Sequence, residues 1–320
     1  MTNYIIRRLL LMIPTLFITS GLIFGLMRIV PGDAAESMAR QRAEGREVTE
    51  ALVQEVRAEL GLNKPIHVQY ADFWKSIFDG SWGRSLFTKR TVWSELGERL
   101  PVSIQLMAMA IVISISWGVS VGILSALKQD TPVDYIFRSI TIANLSIPSF
   151  WIAILIIVMP AVWFRWTPLT KFYSFFDNPL ANLQLMIFPA LILGSHQGAP
   201  LMRMTRTMML EVLRQDYVRT ARAKGLAERL VVMRHAIKNA LIPVVTILGL
   251  QILTAIGGTI VLETVFGLPG MGRLLVVTSL SRRDYPMVQG ITLFIALSIV
   301  FVNLVIDLSY GFLDPRVRYR

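Results

Sequence analysis

Six long apolar runs constrain this chain more than any other feature: 9–30, 102–127, 139–163, 184–202, 240–262 and 287–311. A span needs about 20 mainly apolar residues to cross about 30 Å of hydrocarbon, and each run meets or approaches that length. The overall balance agrees, with 54% hydrophobic and 17% charged residues, where soluble chains average roughly 45–50% and about 25%. The first run is too long for the apolar core of a signal peptide and lacks a small-residue cleavage site, so it reads as a retained span. The expected fold is an all-α polytopic membrane protein with six transmembrane helices.

Charge sets the expected orientation. The net charge of +11 is unevenly spread. Residues 205–238 carry eight Lys/Arg against three acids, whereas 31–99 carry ten basic and eleven acidic residues. Arg7 and Arg8 at the start, and Arg316, Arg318 and Arg320 against Asp314 in the tail 312–320, add to the same side of a six-span chain. Basic loops stay cytoplasmic, so both termini are expected inside. The basic excess is a topology signal, and nucleic-acid binding is not expected.

The pattern divides the chain into a first span (1–30), an external segment (31–99), a five-helix core (100–311) containing a cytoplasmic loop (205–239), and the tail. Arg28 lies at the outer end of the first span, where its long side chain can reach the headgroups; Pro31-Gly32-Asp33 then breaks the helix. In the external segment, Val48, Leu52, Val53, Val56 and Leu60 recur at helical spacing up to Gly61. Pro65 suits a helix start before Phe73, Trp74, Ile77 and Phe78, and a third stretch runs from Val92 to Leu100, up to Pro101. These elements predict a small helical layer on the outer surface, suited to interfacial packing or to docking an external partner. The aromatic stretch 164–183 fits an interfacial belt, and Gly267-Leu-Pro-Gly-Met-Gly272 followed by Leu274–Leu280 predicts a re-entrant or surface turn.

Enzymatic chemistry finds no foothold. There is no cysteine, which excludes disulfides, thiolate metal sites and cysteine nucleophiles. His67, His196 and His235 are isolated, and no paired metal spacing occurs. Gly267–Arg273 lacks the Gly-Lys-Ser/Thr ending of a phosphate-binding loop, and no Gly-x-Ser-x-Gly elbow appears. The chain is expected to bind no metal or cofactor and to catalyse nothing alone.

The informative polar segment is cytoplasmic. Asp216 is a plausible N-cap, Tyr217 to Lys224 a two-turn helix, and Gly225 a left-handed stop. Such a helix is too short to be stable alone in water, so something must pack on it. Arg219, Arg222 and Lys224 offer cations either to anionic headgroups or to a protein. A second amphipathic helix, from about Ala227 to Asn239, leads into the fifth span near Pro243. The pair forms a lever into the membrane.

Tyr217-Val-Arg-Thr-Ala-Arg-Ala-Lys-Gly-Leu226, followed by His235-Ala-Ile-Lys-Asn-Ala-Leu-Ile-Pro-Val-Val245, resembles the cytoplasmic EAA loop of bacterial ABC importer permeases. The dipeptide/oligopeptide/nickel branch is the nearest likeness. Arg7-Arg8 with Pro31-Gly-Asp33, Leu60-Gly-Leu-Asn-Lys-Pro65 with Gln69-Tyr70, Glu263-Thr-Val-Phe266, Pro269-Gly-Met-Gly-Arg273, Arg283-Asp-Tyr-Pro286 with Val288-Gln-Gly290, and Asp314-Pro-Arg316 resemble further family blocks in family order. Arg219 stands where the name-giving Glu would be, and Gly225 to Pro243 is longer than in sugar permeases; both features suit that branch. Gly80-Ser-Trp-Gly83 departs from the usual Gly-Asp-Leu-Gly.

The resemblance implies a type I importer permease in the bacterial inner membrane that forms half of a pathway for short peptides. Nickel chelates, glutathione and short glycans are the alternative cargoes. It implies a homologous second permease, two ATP-binding subunits that hold ATP and magnesium, and an extracytoplasmic binding protein. It also makes Asp216, Tyr217, Arg219, Thr220, Ala221, Arg222, Ala223, Lys224, Gly225 and Leu226 the coupling segment to the ATPase. Polar residues within spans face partners or cavities, which makes Asn144, Ser146, Pro148, Ser149, Gln251 and Thr254 candidates for the pathway or gate. Ser195, His196, Gln197, Asn303 and Asp307 are further polar positions suited to interhelical hydrogen bonds. A gradient-driven transporter would want an intramembrane carboxylate pair or inverted repeats, and neither is clear.

Overall fold

The computed structural model describes residues 2–29, 32–43, 46–167 and 171–313. The expected break at Pro31 and the basic residues 314–320 lie outside them, as does the Asp307 side chain. In chain order the helices are α1 (Thr2–Ile29), α2 (Ala34–Arg42), α3 (Glu50–Glu59), α4 (Ile66–Phe78), α5 (Val92–Leu127), α6 (Pro132–Ser146), α7 (Ser149–Phe164), α8 (Pro179–Leu213), α9 (Asp216–Ala223), α10 (Glu228–Leu230), α11 (Lys238–Phe266), α12 (Met271–Arg273) and α13 (Tyr285–Leu313). Wider π-helical turns fill Val231–Ile237 and Leu274–Leu280. Among the described residues the one extended pairing is an isolated bridge between Arg84 and Thr91.

Among the described residues five helices are long and apolar enough to cross a membrane, within α1, α5, α8, α11 and α13. The expected third span differs from its sequence reading. α6 and α7 qualify only together, and they meet at a bend of 95°. Pro148 is the cause: it donates no backbone N–H, and it pushes the preceding residue out of helical geometry. Ile147 accordingly sits at φ −99° and ψ 123°, and α7 restarts from Pro148 as its N-cap.

One compact unit is built from Met1–Ser103 and Pro269–Val305. Its apolar centre includes Val92, Leu96, Met271, Leu274, Met287 and Ile291. The expected helices around 48–60 and 66–78 form as α3 and α4, with α3 stopped by Gly61 at φ +68°. Sequence reading missed α2. It is capped by Asp33, whose Oδ1 accepts from Ala35 N at 3.2 Å while its second oxygen accepts from Arg57 on α3. Its buried face of Ala35, Met38 and Ala39 packs on Val56. Pro101 does not end the third stretch; it lies within α5. The buried side Val92, Leu96, Val102, Leu106, Ala110 continues past Pro101 at helical spacing, and that packing overrides the lost hydrogen bond. Arg28 Nη1 donates to Phe24 O at 2.9 Å and Nη2 to Gln69 Oε1 at 2.6 Å.

Asp284, beside the start of α13, is a buried tie. Its Oδ2 accepts from Ser85 Oγ at 2.5 Å and its Oδ1 from Leu86 N at 3.1 Å. Ser85 Oγ in turn accepts from Phe87 N and Thr88 N.

The other unit, Ile104–Leu268 with the end of α13 from Ile306, is built on α8. α5 carries Gly118 and Gly122, and α8 carries Gly194 and Gly198, each pair spaced four apart. A Cβ on Gly194 would lie 2.7 Å from Ala110 O, one on Gly118 2.7 Å from Gly198 O, and one on Gly198 2.6 Å from the Trp117 ring. Backbone therefore meets backbone, as at small-residue seams in membranes. At one end, the Arg206 fork on α8 grips Asp134 on α6, with Nε to Oδ1 at 2.8 Å and Nη2 to Oδ2 at 2.7 Å. Ser125 on α5 and Asp130 N complete the carboxylate's partners.

Candidate functional site

α9 begins after a two-residue turn at the end of α8. Gln215, not Asp216, occupies the N-cap, and its side chain makes no capping bond. Asp216 begins the helix, where a carboxylate complements the positive end of the dipole. Gly225 lies at φ +75°, the left-handed stop its position suggested. The question of what packs on so short a helix has an internal answer. Val218 and Ala221 are buried against Val231, with Val212 and Leu213 alongside. The chain covers one face of α9 by itself.

The opposite face is open. Arg219, Thr220, Ala223, Lys224 and Gly225 are exposed, as are the larger apolar surfaces of Tyr217 and Leu226. Arg219 sits 3.6 Å from Asp216, with side chains 71% and 96% accessible, too open for a strong pair. Arg222 turns inward along the chain. Its fork bonds Glu228 at 3.0 and 2.7 Å, which holds that carboxyl below its ordinary range. Of the three cations read from sequence, Arg219 and Lys224 are thus the outward pair.

α9 is tied to the chain beyond Gly225. Besides Arg222–Glu228, Asn239 Nδ2 donates to Tyr217 Oη at 3.0 Å. The expected separate helix over 227–239 is instead α10, a π-helical turn and the start of α11, one unbroken helical path from Glu228 to Phe266. A displacement of α9 therefore has a direct mechanical route into the span that holds Gln251 and Thr254.

The intramembrane candidates fall into two groups, each with a partner on α8. His196 Nδ1 lies 3.2 Å from Asn144 O, beside the bend. Ser146 is exposed and its hydroxyl turns back to Ile142 O at 2.9 Å; Pro148 is exposed and Ser149 half-buried. Gln251 is buried: its Nε2 donates to Gln197 O at 2.5 Å, and its Oε1 accepts from Ser114 Oγ at 3.1 Å. Thr254 donates to Gln251 O at 3.0 Å. Sequence had no means of joining Ser114 to this cluster, since its neighbours Ile113 and Ile115 are plain apolar span. On α11 a Cβ added at Gly258 would meet Leu193, while one added at Gly257 would find nothing within 4 Å. Among the described residues no group of His, Asp and Glu could hold a metal ion.

The family model described as binding-protein-dependent transport system inner membrane component matches residues 118–319, and the model for the N-terminal part of such membrane components matches 1–107. The di/tripeptide transport system permease protein DppB of Pseudomonas aeruginosa (strain UCBPP-PA14) is 38% identical over 340 residues, covering 100% of both chains. The dipeptide transport system permease protein DppB of Escherichia coli (strain K12) is 38% identical over 343 residues with the same coverage. A crystal structure of an amino acid ABC transporter with histidines superposes with a TM-score of 0.54 at 13% identity, over 68% of this chain and 92% of that one. At that identity the likeness is one of fold.

Proposed function

This chain belongs to the family of binding-protein-dependent transport system inner membrane components, and from that premise we propose how it carries out its part of transport. It is the membrane-spanning permease subunit of an ABC importer for peptides, a multi-pass protein of the inner membrane. Its basic loops face the cytoplasm, and a second, homologous permease completes the pathway. ATP and magnesium belong to two partner subunits, and a binding protein delivers the peptide from the outer side.

The open face of α9 is the contact with those ATP-binding subunits. Two features support this. The short helix is already stabilised from behind by Val212, Leu213 and Val231, so its front is available without unfolding anything. It is also hydrogen-bonded into the helical path leading to α11. Switching a two-state pathway from 1:99 to 99:1 takes about 5.5 kcal/mol of differential binding. Closure of the partner subunits supplies it by moving α9, and α11 carries the movement to Gln251 and Thr254.

The decisive experiment is peptide uptake by the reconstituted importer carrying Arg219→Glu or Gly225→Pro. Proline fixes φ near −65° and cannot occupy the +75° of Gly225. Both variants are expected to insert and assemble normally yet lose uptake. Uptake at the unmodified rate would remove α9 from the coupling path.

A further inference from the structure

A cavity of about 210 Å³ opens within the first unit, and none of its lining residues belongs to α9 or to the intramembrane polar clusters. It collects α1, the α3–α4 turn, α4 and the start of α13. Its walls include the rings of Phe24, Phe73 and Tyr285, and its polar groups include Arg28, Gln69 and Gln289.

Arg28 is the centre of the argument. Its guanidinium lies 3.4 Å from the Phe24 ring centroid and 5.8 Å from that of Tyr285. It is half-buried, and among the described residues no carboxylate pairs with it. A guanidinium has five N–H donors, of which the bonds to Phe24 O and Gln69 Oε1 use two. Gln69 is itself fixed, its Nε2 donating to Leu62 O at 3.1 Å and Lys64 O at 2.8 Å. It therefore orients the cation.

The second observation is independent. Gln289 is 5% exposed, lines the same cavity, and its Nε2 has no hydrogen-bond partner. Buried amide donors are normally satisfied. The two remaining charges at the rim, Lys64 and Asp72, neutralise each other at 2.7 Å. The cavity thus presents an uncompensated planar cation, spare donors and aromatic walls, and among the described residues its one acid, Asp72, is already paired.

We infer that this cavity is a carboxylate-binding site, with Arg28 as the charge-bearing ligand and Gln289 as a second donor. An Arg fork matches carboxylate geometry in two parallel bonds. The carboxylate can come from the C-terminus of a peptide or from an acidic side chain of a partner protein. The site stands on the cavity alone, so its failure leaves the importer reading intact.

The test is equilibrium binding to the purified full-length chain in nanodiscs, with three probes: alanyl-alanine, its C-terminal amide, and Nα-acetyl-glutamic acid α-amide. Alanyl-alanine is expected to bind at least tenfold more tightly than its amide. Arg28→Gln should remove that difference, and Gln289→Leu should weaken binding severalfold. Arg28→Lys, which keeps the charge and loses the fork, gives an intermediate affinity and guards against a variant that fails to fold. Tighter binding of alanyl-alanine than of the glutamate probe assigns the site to free peptide, and the reverse order assigns it to a partner's acidic side chain. Equal affinity for the acid and its amide, or full retention in Arg28→Gln, overturns the proposal.

Discussion

Replacing Arg206 by Ala tests whether the Asp134 pair is a structural joint. The Asp134 side chain is wholly inaccessible and that of Arg206 is 18% exposed, so neither charge is well served by water. Breaking a buried pair from one side costs about 3–5 kcal/mol, because the surviving charge remains buried. Here Ser125 Oγ and Asp130 N still serve the carboxylate, which places the loss near the lower end, about 3 kcal/mol. At about 2 °C per kcal/mol for a large chain, the thermal midpoint should fall by about 6 °C. The assay is the monodisperse fraction surviving graded heating in detergent, read by size-exclusion chromatography. Asp134→Ala should cost less, about 2 kcal/mol, since the freed guanidinium reaches solvent more readily. The Asp134→Ala/Arg206→Ala double variant should be more stable than Arg206→Ala alone. A midpoint shift below about 1 °C for Arg206→Ala, or a double variant at least as damaged as the two singles summed, would refute the reasoning.

Three other perturbations have defined outcomes. Gly194→Val drives a side chain into Ala110 O and should cost about 1–3 kcal/mol, seen as a lower thermal midpoint; Gly257→Ala, with open space around it, should change nothing. Burial pushes the Asp284 carboxyl above its ordinary value of 3.8, outweighing its hydrogen bonds. Because the folded pKa exceeds the unfolded one, this group's stabilisation is complete below the ordinary pKa and fades as pH rises through the raised one. Asp284→Asn should accordingly flatten the dependence of the thermal midpoint on pH across that acid window. Pro148→Ala restores a backbone donor at the bend, and the distance between spin labels at Ile140 and Val158 should lengthen toward the roughly 27 Å of a straight helix rising about 1.5 Å per residue.

What could be read from residues alone depended on how local the deciding force was. Gly61 and Gly225 end helices through their own backbone freedom, and both stops were visible. The spans follow from apolar length, and the ends of α3 and α4 from short-range spacing. α2 escaped because its buried face is mostly alanine, which carries little hydropathy, although Asp33 and Glu36 were legible start signals. Pro101 misled for the opposite reason: a strong local breaker lost to packing along the buried side of α5. Gly118, Gly122, Gly194 and Gly198 were readable as spacing, but their meeting across two helices was not. The same holds for Arg28 and Gln289, which are 261 positions apart in the chain and line one cavity only in the folded unit.

The glycine seam has a consequence for any cycle this subunit undergoes. Where two helices touch main chain to main chain, no flexible side chain remains to absorb sliding, so the 110–122 stretch of α5 must travel with α8 as one rigid spar. Any stroke within that unit has to be taken up where regular winding is already interrupted: the corner at Pro148 and the loosened coil at Val231–Ile237. Labels placed across those two points should report the movement, while labels spanning the spar stay still.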